Sequence, residues 1–174
     1  FSGNAYESDI YRSAIDAIAR NAAKLKGNHV IKNQEKRIDG DNHLNHILNI
    51  RPNAYMSAYD LIYKLVTHYY LFNNAFAYLD KDEKGNLQAI YPLMAQSAEY
   101  MTDPTGRMFC RFLFANGKTV ILPFSDLLVL RRFFNSNDLL GDSNTAILPA
   151  LDLAHTQNQG LEKSIKSNAS IRGI

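Results

Sequence analysis

An α+β fold with leading helices, an antiparallel β meander and a closing long helix is predicted for this chain. Two stretches of helical periodicity come first, over residues 5–26 and 57–73. Short apolar runs separated by glycine-containing turns follow, and helical spacing returns after Gly141. Strands are grouped rather than alternated with helices, which is not the order of a parallel βαβ sheet.

In the first helix Tyr6, Ile10, Tyr11, Ala14, Ile15, Ile18, Ala22 and Leu25 recur at helical spacing, and Gly27 is a suitable stop. His29, Val30 and Ile31 read as a short strand, and the polar run from Lys32 to Asn42 as an exposed loop. A short helix through Leu44, Ile47, Leu48 and Ile50 must end before Pro52. Helix 57–73 has the strongest start signal: Ser57 as cap, Asp60 at the capping-box position, and Met56 with Leu61 as a hydrophobic staple. Its apolar residues form two stripes, Tyr59, Ile62, Tyr63, Val66 and Tyr70, then Leu61, Leu65 and Phe72, so packing on two sides is expected.

Strands are expected at Ala75–Leu79, Leu87–Tyr91, Ala98–Met101, Arg107–Phe114, Thr119–Leu122 and Leu127–Phe133, with Gly85, Gly106 and Gly117 in the intervening turns. Along 107–114 the alternate residues Met108, Cys110, Phe112 and Phe114 are apolar. That places Cys110 on a core face, as a small hydrophobe. After Gly141, Leu148, Leu151, His155, Leu161 and Ile165 keep helical spacing.

By length the 174 residues form a single α+β domain over 1–174, and 46% hydrophobic residues suffice for one core. Phe1 is not a methionine and Ile174 follows Arg172 and Gly173, so a segment of a longer chain is expected. A net charge of +2 lacks the dense basic footprint of a dedicated nucleic-acid binder. The single cysteine excludes an intrachain disulfide and disfavours a cysteine metal cluster. No apolar run approaches the roughly 18 residues of a membrane span, and no membrane partner is expected.

The stretch GDSNTAILPALDLAH, Gly141 to His155, holds the Gly-Asp-Ser and Asp-x-x-His fragments of a GDSL-type esterase. A serine nucleophile needs its base at roughly 2.6–3.2 Å. Ser143 and His155 on one helix stand roughly 18 Å apart at 1.5 Å per residue, so the two cannot meet within a subunit. The plainer reading is a glycine turn followed by Asp142, Ser143 or Asn144 capping the last helix. His43 and His46, at i and i+3, are half a metal site at most. Asp39 and Asp41 open like a calcium loop that lacks its glycine and closing glutamate. The basic pairs Arg131 and Arg132, and Lys163 and Lys166, are candidates for nucleic-acid contact, though such residues more often serve solvated faces or ion pairs between subunits. No catalytic, cofactor-binding or metal-binding residue is assigned, no cofactor is expected, and DNA-contacting residues stay unassigned.

From Ile50 onward four stretches occur in a distinctive order. They are RPNAYMSAYDLIYKLVTHYYLFNNAFAYL, LQAIYPL, CRFLFANGKTVILPFSDLLVLRRFF and LLGDSNTAILPALDLA. In this order the chain resembles the portal proteins of tailed bacteriophages. Two positions depart from the family pattern. Asn73 stands where glycine usually precedes the Asn-Ala pair, and Asn144 follows Ser143 where a Ser-Pro pair often opens the last helix. Pro149 comes later and is expected to kink that helix or delay its start.

The resemblance implies a structural role. Portal proteins form a ring, dodecameric in the capsid, at one vertex of the virion. DNA enters through it, driven by terminase, and leaves through it at infection. The implied partners are further copies of the chain, capsid protein, terminase large subunit, head–tail connector proteins and double-stranded DNA. The implied locations are the virion and, during assembly, the bacterial host cytoplasm, for a phage or a prophage. This chain would supply the wing-like region, with stem, clip and crown beyond Ile174. Without those parts, the isolated segment is expected to be mainly monomeric at micromolar concentration. Two other readings stand beside this one: a serine hydrolase centred on Ser143 with a histidine from elsewhere, and a generic interaction domain, for which ten tyrosines are a mild cue.

Overall fold

A computed structural model of the chain describes residues 5–33, 36–136 and 138–171. The fold is mixed α+β, as predicted. Two compact units are present, one of Phe1–Ala14 with Ser143–Ile174 and the other of Ile15–Asp142.

Helix α1 spans Asp9–Ala22 after a 3-10 turn at Ala5–Glu7. It ends before Gly27 because its last turn tightens into i→i+3 bonds, Lys24 N–H to Asn21 O and Leu25 N–H to Ala22 O. Its buried stripe, Ile15, Ala19 and then Ala23, is narrower than the sequence suggests, and Ile10, Ile18 and Leu25 are exposed. Strands β1 (Val30–Asn33) and β2 (Lys36–Asp39) form an antiparallel hairpin, which corrects the exposed loop expected from Lys32 onward. Of that expected loop, Gln34 and Glu35 lie outside the described residues. The strand was illegible because β2 is exposed along its whole length, so no alternation of apolar and polar residues marks it.

Helix α2 (Asn42–Asn49) is capped by Asp41, whose carboxylate accepts from the N–H groups of His43 and Leu44. Those two bonds hold its pKa below the usual aspartate value. Helix α3 (Ala58–Phe72) opens with the expected capping box. Asp60 N–H donates to Ser57 Oγ at 3.2 Å and Ser57 N–H to Asp60 Oδ2 at 3.0 Å. The helix buries Ala58, Leu61, Leu65, Thr67, His68 and Leu71, while Tyr59 and Phe72, expected in its stripes, are exposed. Its second side carries Tyr63, whose hydroxyl donates to Asp16 of α1 at 2.8 Å.

Eight strands are assigned among the described residues, and the six after α3 divide between two antiparallel sheets. One has the order β4-β3-β8, from Leu87–Leu93, Asn74–Lys81 and Leu127–Arg131; the other is the meander β5-β6-β7, from Ser97–Thr102, Met108–Leu113 and Thr119–Pro123. The chain thus leaves the meander after β7 and returns to pair β8 with β3, Ala75 opposite Leu130 and Ala77 opposite Leu128.

Strand β3 is buried on both faces, and its alternation sorts the two cores. Ala75 and Ala77 pack with Ile47, Leu61, Leu65 and Ile90 beneath α2 and α3. Phe76 faces the other way, into a cluster with Cys110, Phe112 and Leu127. Within the unit Ile15–Asp142, helices α2 and α3, the first sheet and the second sheet therefore form three layers. Cys110 is fully buried, as its alternation predicted, and burial pushes its thiol pKa up to about 11. No helix among the described residues is long and apolar enough to cross a membrane.

His68 makes this fold acid-sensitive. It is only 5% exposed, and burial, helped by the nearby Lys64 charge, lowers its pKa from 6.5 to about 4. The unfolded chain takes up the proton near 6.5 and the native chain only near 4, so this contribution is complete above 6.5 and is lost as pH falls towards 4. The aspartates Asp41, Asp60, Asp82 and Asp103 are held below 3.8 and titrate under that window. Melting temperature is therefore expected to fall across this interval in wild type and much less in His68→Leu, as a pH series of thermal melts would show.

Candidate assembly surface at the end of the first sheet

The chain closes around the point where α3 hands over to β3 and β8 ends. Asn73 ends α3 in the left-handed region, φ 57°, which asparagine and glycine tolerate best. Its carbonyl accepts from Arg132 N–H at 3.0 Å. Its Nδ2 donates to Asp142 O at 2.8 Å. The next side chain, Asn74, pairs with the backbone of Gly141 in both directions: Gly141 N–H donates to Oδ1 at 2.7 Å, and Nδ2 donates to Gly141 O at 3.1 Å.

These bonds draw Gly141 against two carbonyls. A Cβ on Gly141 would lie 2.4 Å from both Arg132 O and Asn73 O. Asp142 completes the closure: its N–H donates to Phe133 O at 2.9 Å, and its carboxylate accepts from the Ser136 hydroxyl. The Ser136 bonds hold the pKa of Asp142 below the ordinary value.

The closed loop displays two aromatic side chains. Phe133 has φ 51°, uncommon for a non-glycine residue, and is 61% exposed; Phe134 is 53% exposed. Each is faced by an arginine. The Arg132 guanidinium lies 4.1 Å from the Phe133 ring centroid and 4.6 Å from that of Tyr70, and Arg131 lies 4.6 Å from that of Phe134. Exposed aromatic and arginine side chains on a braced backbone are the composition of protein–protein contacts.

Apart from Arg131 and Arg132, the other sequence candidates are not gathered here. Arg131 and Arg132, candidates for DNA contact, present their guanidinium groups to rings. Lys166 pairs with Glu162 one turn away on an exposed helix face. His43 Nε2 lies 3.1 Å from Leu87 O, and His46 is exposed. Asp41 is committed to its cap and Asp39 to β2 opposite Val30. Among the described residues no group of three or more His, Cys, Asp or Glu side chains is placed to hold a metal ion.

The capping role given to Asp142, Ser143 or Asn144 is corrected. Ser143 precedes a 3-10 turn, Asn144–Ile147, and makes no side-chain cap bond. Asp142 is engaged with Ser136, and Asn144 Nδ2 donates to Tyr11 Oη at 2.8 Å. Helix α4 begins only at Leu148 and runs to Ile171. Pro149 thus sits in its first turn, where a missing N–H costs nothing, and the helix start is delayed as that residue suggested. His155 lies two turns into α4, so helical rise keeps it far from Ser143.

Comparison with known proteins decides the family. The family model described as phage portal protein matches residues 9–174. The chain belongs to the phage portal protein family. No curated protein matches it in sequence. Solved structures share the fold. A chain of the virion of native gene transfer agent particle is 16% identical with a TM-score of 0.69, over 94% of this chain and 43% of that one. A chain of the neck of empty gene transfer agent particle, computed with C6 symmetry, is 17% identical with a TM-score of 0.69, over 94% and 44%. A chain of the neck of the native particle, computed with C12 symmetry, is 17% identical with a TM-score of 0.66, over 91% and 41%. The portal chain described here therefore spans less than half the length of these structural relatives.

Family membership gives the Asn73 departure a physical reason. Glycine and asparagine both accept the left-handed position, and asparagine adds the bond to Asp142. Asn73→Gly is expected to change stability by less than about 1 kcal/mol, since it loses one hydrogen bond and removes left-handed strain. Asn73→Ala loses the bond and tolerates the left-handed backbone less well than asparagine, for about 1–2 kcal/mol. Chemical denaturation of the two variants checks the order.

Proposed function

We propose that this chain is the wing-like portion of a portal subunit, with stem, clip and crown following it in the full-length protein. Copies assemble into the ring at one capsid vertex, through which double-stranded DNA is packaged and ejected. The ring meets capsid protein, terminase large subunit and head–tail connector proteins, in the virion and, during assembly, in the host cytoplasm. The observation that carries this reading is the family match over residues 9–174. The role is structural rather than catalytic: Ser143 and His155 are held apart by the helical run between them, and the glycine of Gly-Asp-Ser has a packing task.

Electron microscopy of the full-length protein is the test. A ring with a central pore is expected; a compact monomer overturns the reading. The segment 1–174 alone is expected to scatter light as a monomer at micromolar concentration, and a stable large ring from it would contradict the assigned division of contacts.

A further inference from the structure

We propose that Arg132, framed by the exposed Phe133 and Phe134, is a receptor for a carboxylate of another polypeptide, one that carries an apolar side chain beside its Asp or Glu.

Arg132 is a cation without an anion. It is half-buried, yet among the described residues no carboxylate or other acceptor bonds its guanidinium. Other arginines are answered within the chain: Arg12 by Asp9, Arg20 by Asp16, Arg107 by Asp103 and Arg111 by Glu99. Arg131 donates to Asp138 O. Arg37 lacks such a partner too, but it stands exposed to water. Asp142, in the same loop as Arg132, is engaged by Ser136. A partly desolvated charge left unmet is unfavourable, and a bound anion removes that penalty.

Aromatic rings hold the guanidinium in place. Its carbon lies 4.1 Å from the Phe133 centroid, 4.6 Å from that of Tyr70 and 5.8 Å from that of Tyr69. Such contacts leave the N–H donors available, and their fork matches the two oxygens of a carboxylate. The backbone beneath is fixed, since Arg132 N–H donates to Asn73 O and Phe133 O accepts from Asp142 N–H. The cation is therefore positioned before a partner arrives, which lowers the cost of binding.

Phe133 is the independent sign of a partner. Its φ of 51° is a strained position for a non-glycine residue. With the ring 61% exposed, burial within the chain does little to offset that strain. The flanking rings also select the partner's class. Duplex DNA is held by several free cations on successive phosphates. Residues 131–142 hold only two cations, Arg131 already has its carbonyl, and a phosphate backbone would leave both phenylalanines in water. A polypeptide carboxylate with an apolar neighbour meets the charge and covers the rings.

The test titrates the 174-residue chain with the peptide acetyl-Leu-Glu-Phe-amide and with its neutral counterpart acetyl-Leu-Gln-Phe-amide. Arginine Nε–Hε signals are followed by NMR, and folding by thermal melts. The Glu peptide is expected to move the Arg132 signal and to bind roughly tenfold more tightly than the Gln peptide. Arg132→Gln is expected to abolish that preference without changing the melt. Phe133→Gly, which keeps the left-handed backbone, is expected to melt close to wild type and to bind the Glu peptide several-fold more weakly. Equal binding of the two peptides, or no shift up to about 10 mM, overturns the receptor. So does a short DNA duplex that moves the Arg132 signal at lower concentration than the Glu peptide, which would make this a phosphate site. A Phe133→Gly melt well below wild type would show that the ring serves the fold, and would overturn its role in display.

Discussion

Gly141→Ala is expected to lower stability by about 3 kcal/mol, at the upper end of what overpacking costs. The reason is local and geometric. The added methyl would meet two backbone carbonyls at 2.4 Å, and neither can rotate away as a side chain would. Relief requires moving Arg132 or Asn73, which would break the Arg132 N–H to Asn73 O bond or the paired bonds from Asn74. For a chain of this size the effect corresponds to a fall of about 6–12 °C in melting temperature, read by circular dichroism. Ser143→Ala serves as the control and is expected within about 0.5 kcal/mol of wild type, since Ser143 makes no cap bond. Should Gly141→Ala melt like wild type, the close approach is wrong. Esterase activity abolished in Ser143→Ala would revive the hydrolase reading.

The second large effect is expected at Phe112→Ala, at about 3–5 kcal/mol. Phe112 is fully buried and meets the Phe76 ring edge-on at 5.2 Å, joining the second sheet to the first. Truncation leaves a cavity between two sheets that their ladders prevent from collapsing. Urea unfolding should show a lower midpoint with an unchanged slope, because the surface exposed on unfolding stays nearly the same. A loss below about 1 kcal/mol would mean that the sheets do not meet at this residue.

Portal membership and these packing effects concern different levels of the molecule, and the sequence exposed them unequally. Helix α3 could be read nearly to the residue because Ser57 and Asp60 signal a start through bonds made within one turn. Strand β6 could be read because Cys110 and Phe112 lie on one face and the exposed Arg111 and Leu113 on the other. The turn glycines Gly85, Gly106 and Gly117 all have positive φ, as their hairpins require. Strand β2 could not be read, since nothing buries either face. The return of β8 to β3 was equally hidden, because pairing partners are chosen by surfaces distant in sequence.

Gly141, Asp142 and Ser143 draw the same line most sharply. Read alone, they suggest a nucleophile, or a turn with a cap, and local chemistry supports the cap. Helical rise was enough to separate Ser143 from His155, because that distance depends only on neighbours along the chain. What the triplet does was decided outside it: the distant Asn73 and Asn74 at the end of α3 and the nearer Arg132 after β8 crowd Gly141, while Ser136 claims Asp142. The sequence by itself determined the α+β order, the start of α3, the faces of β6 and the resemblance to portal proteins, all of which rest on local periodicity and ordered motifs. Only the tertiary structure decided the two-sheet division and the closure at Gly141, because each depends on which distant backbone groups meet; the hairpin is local, and was hidden because β2 buries neither face.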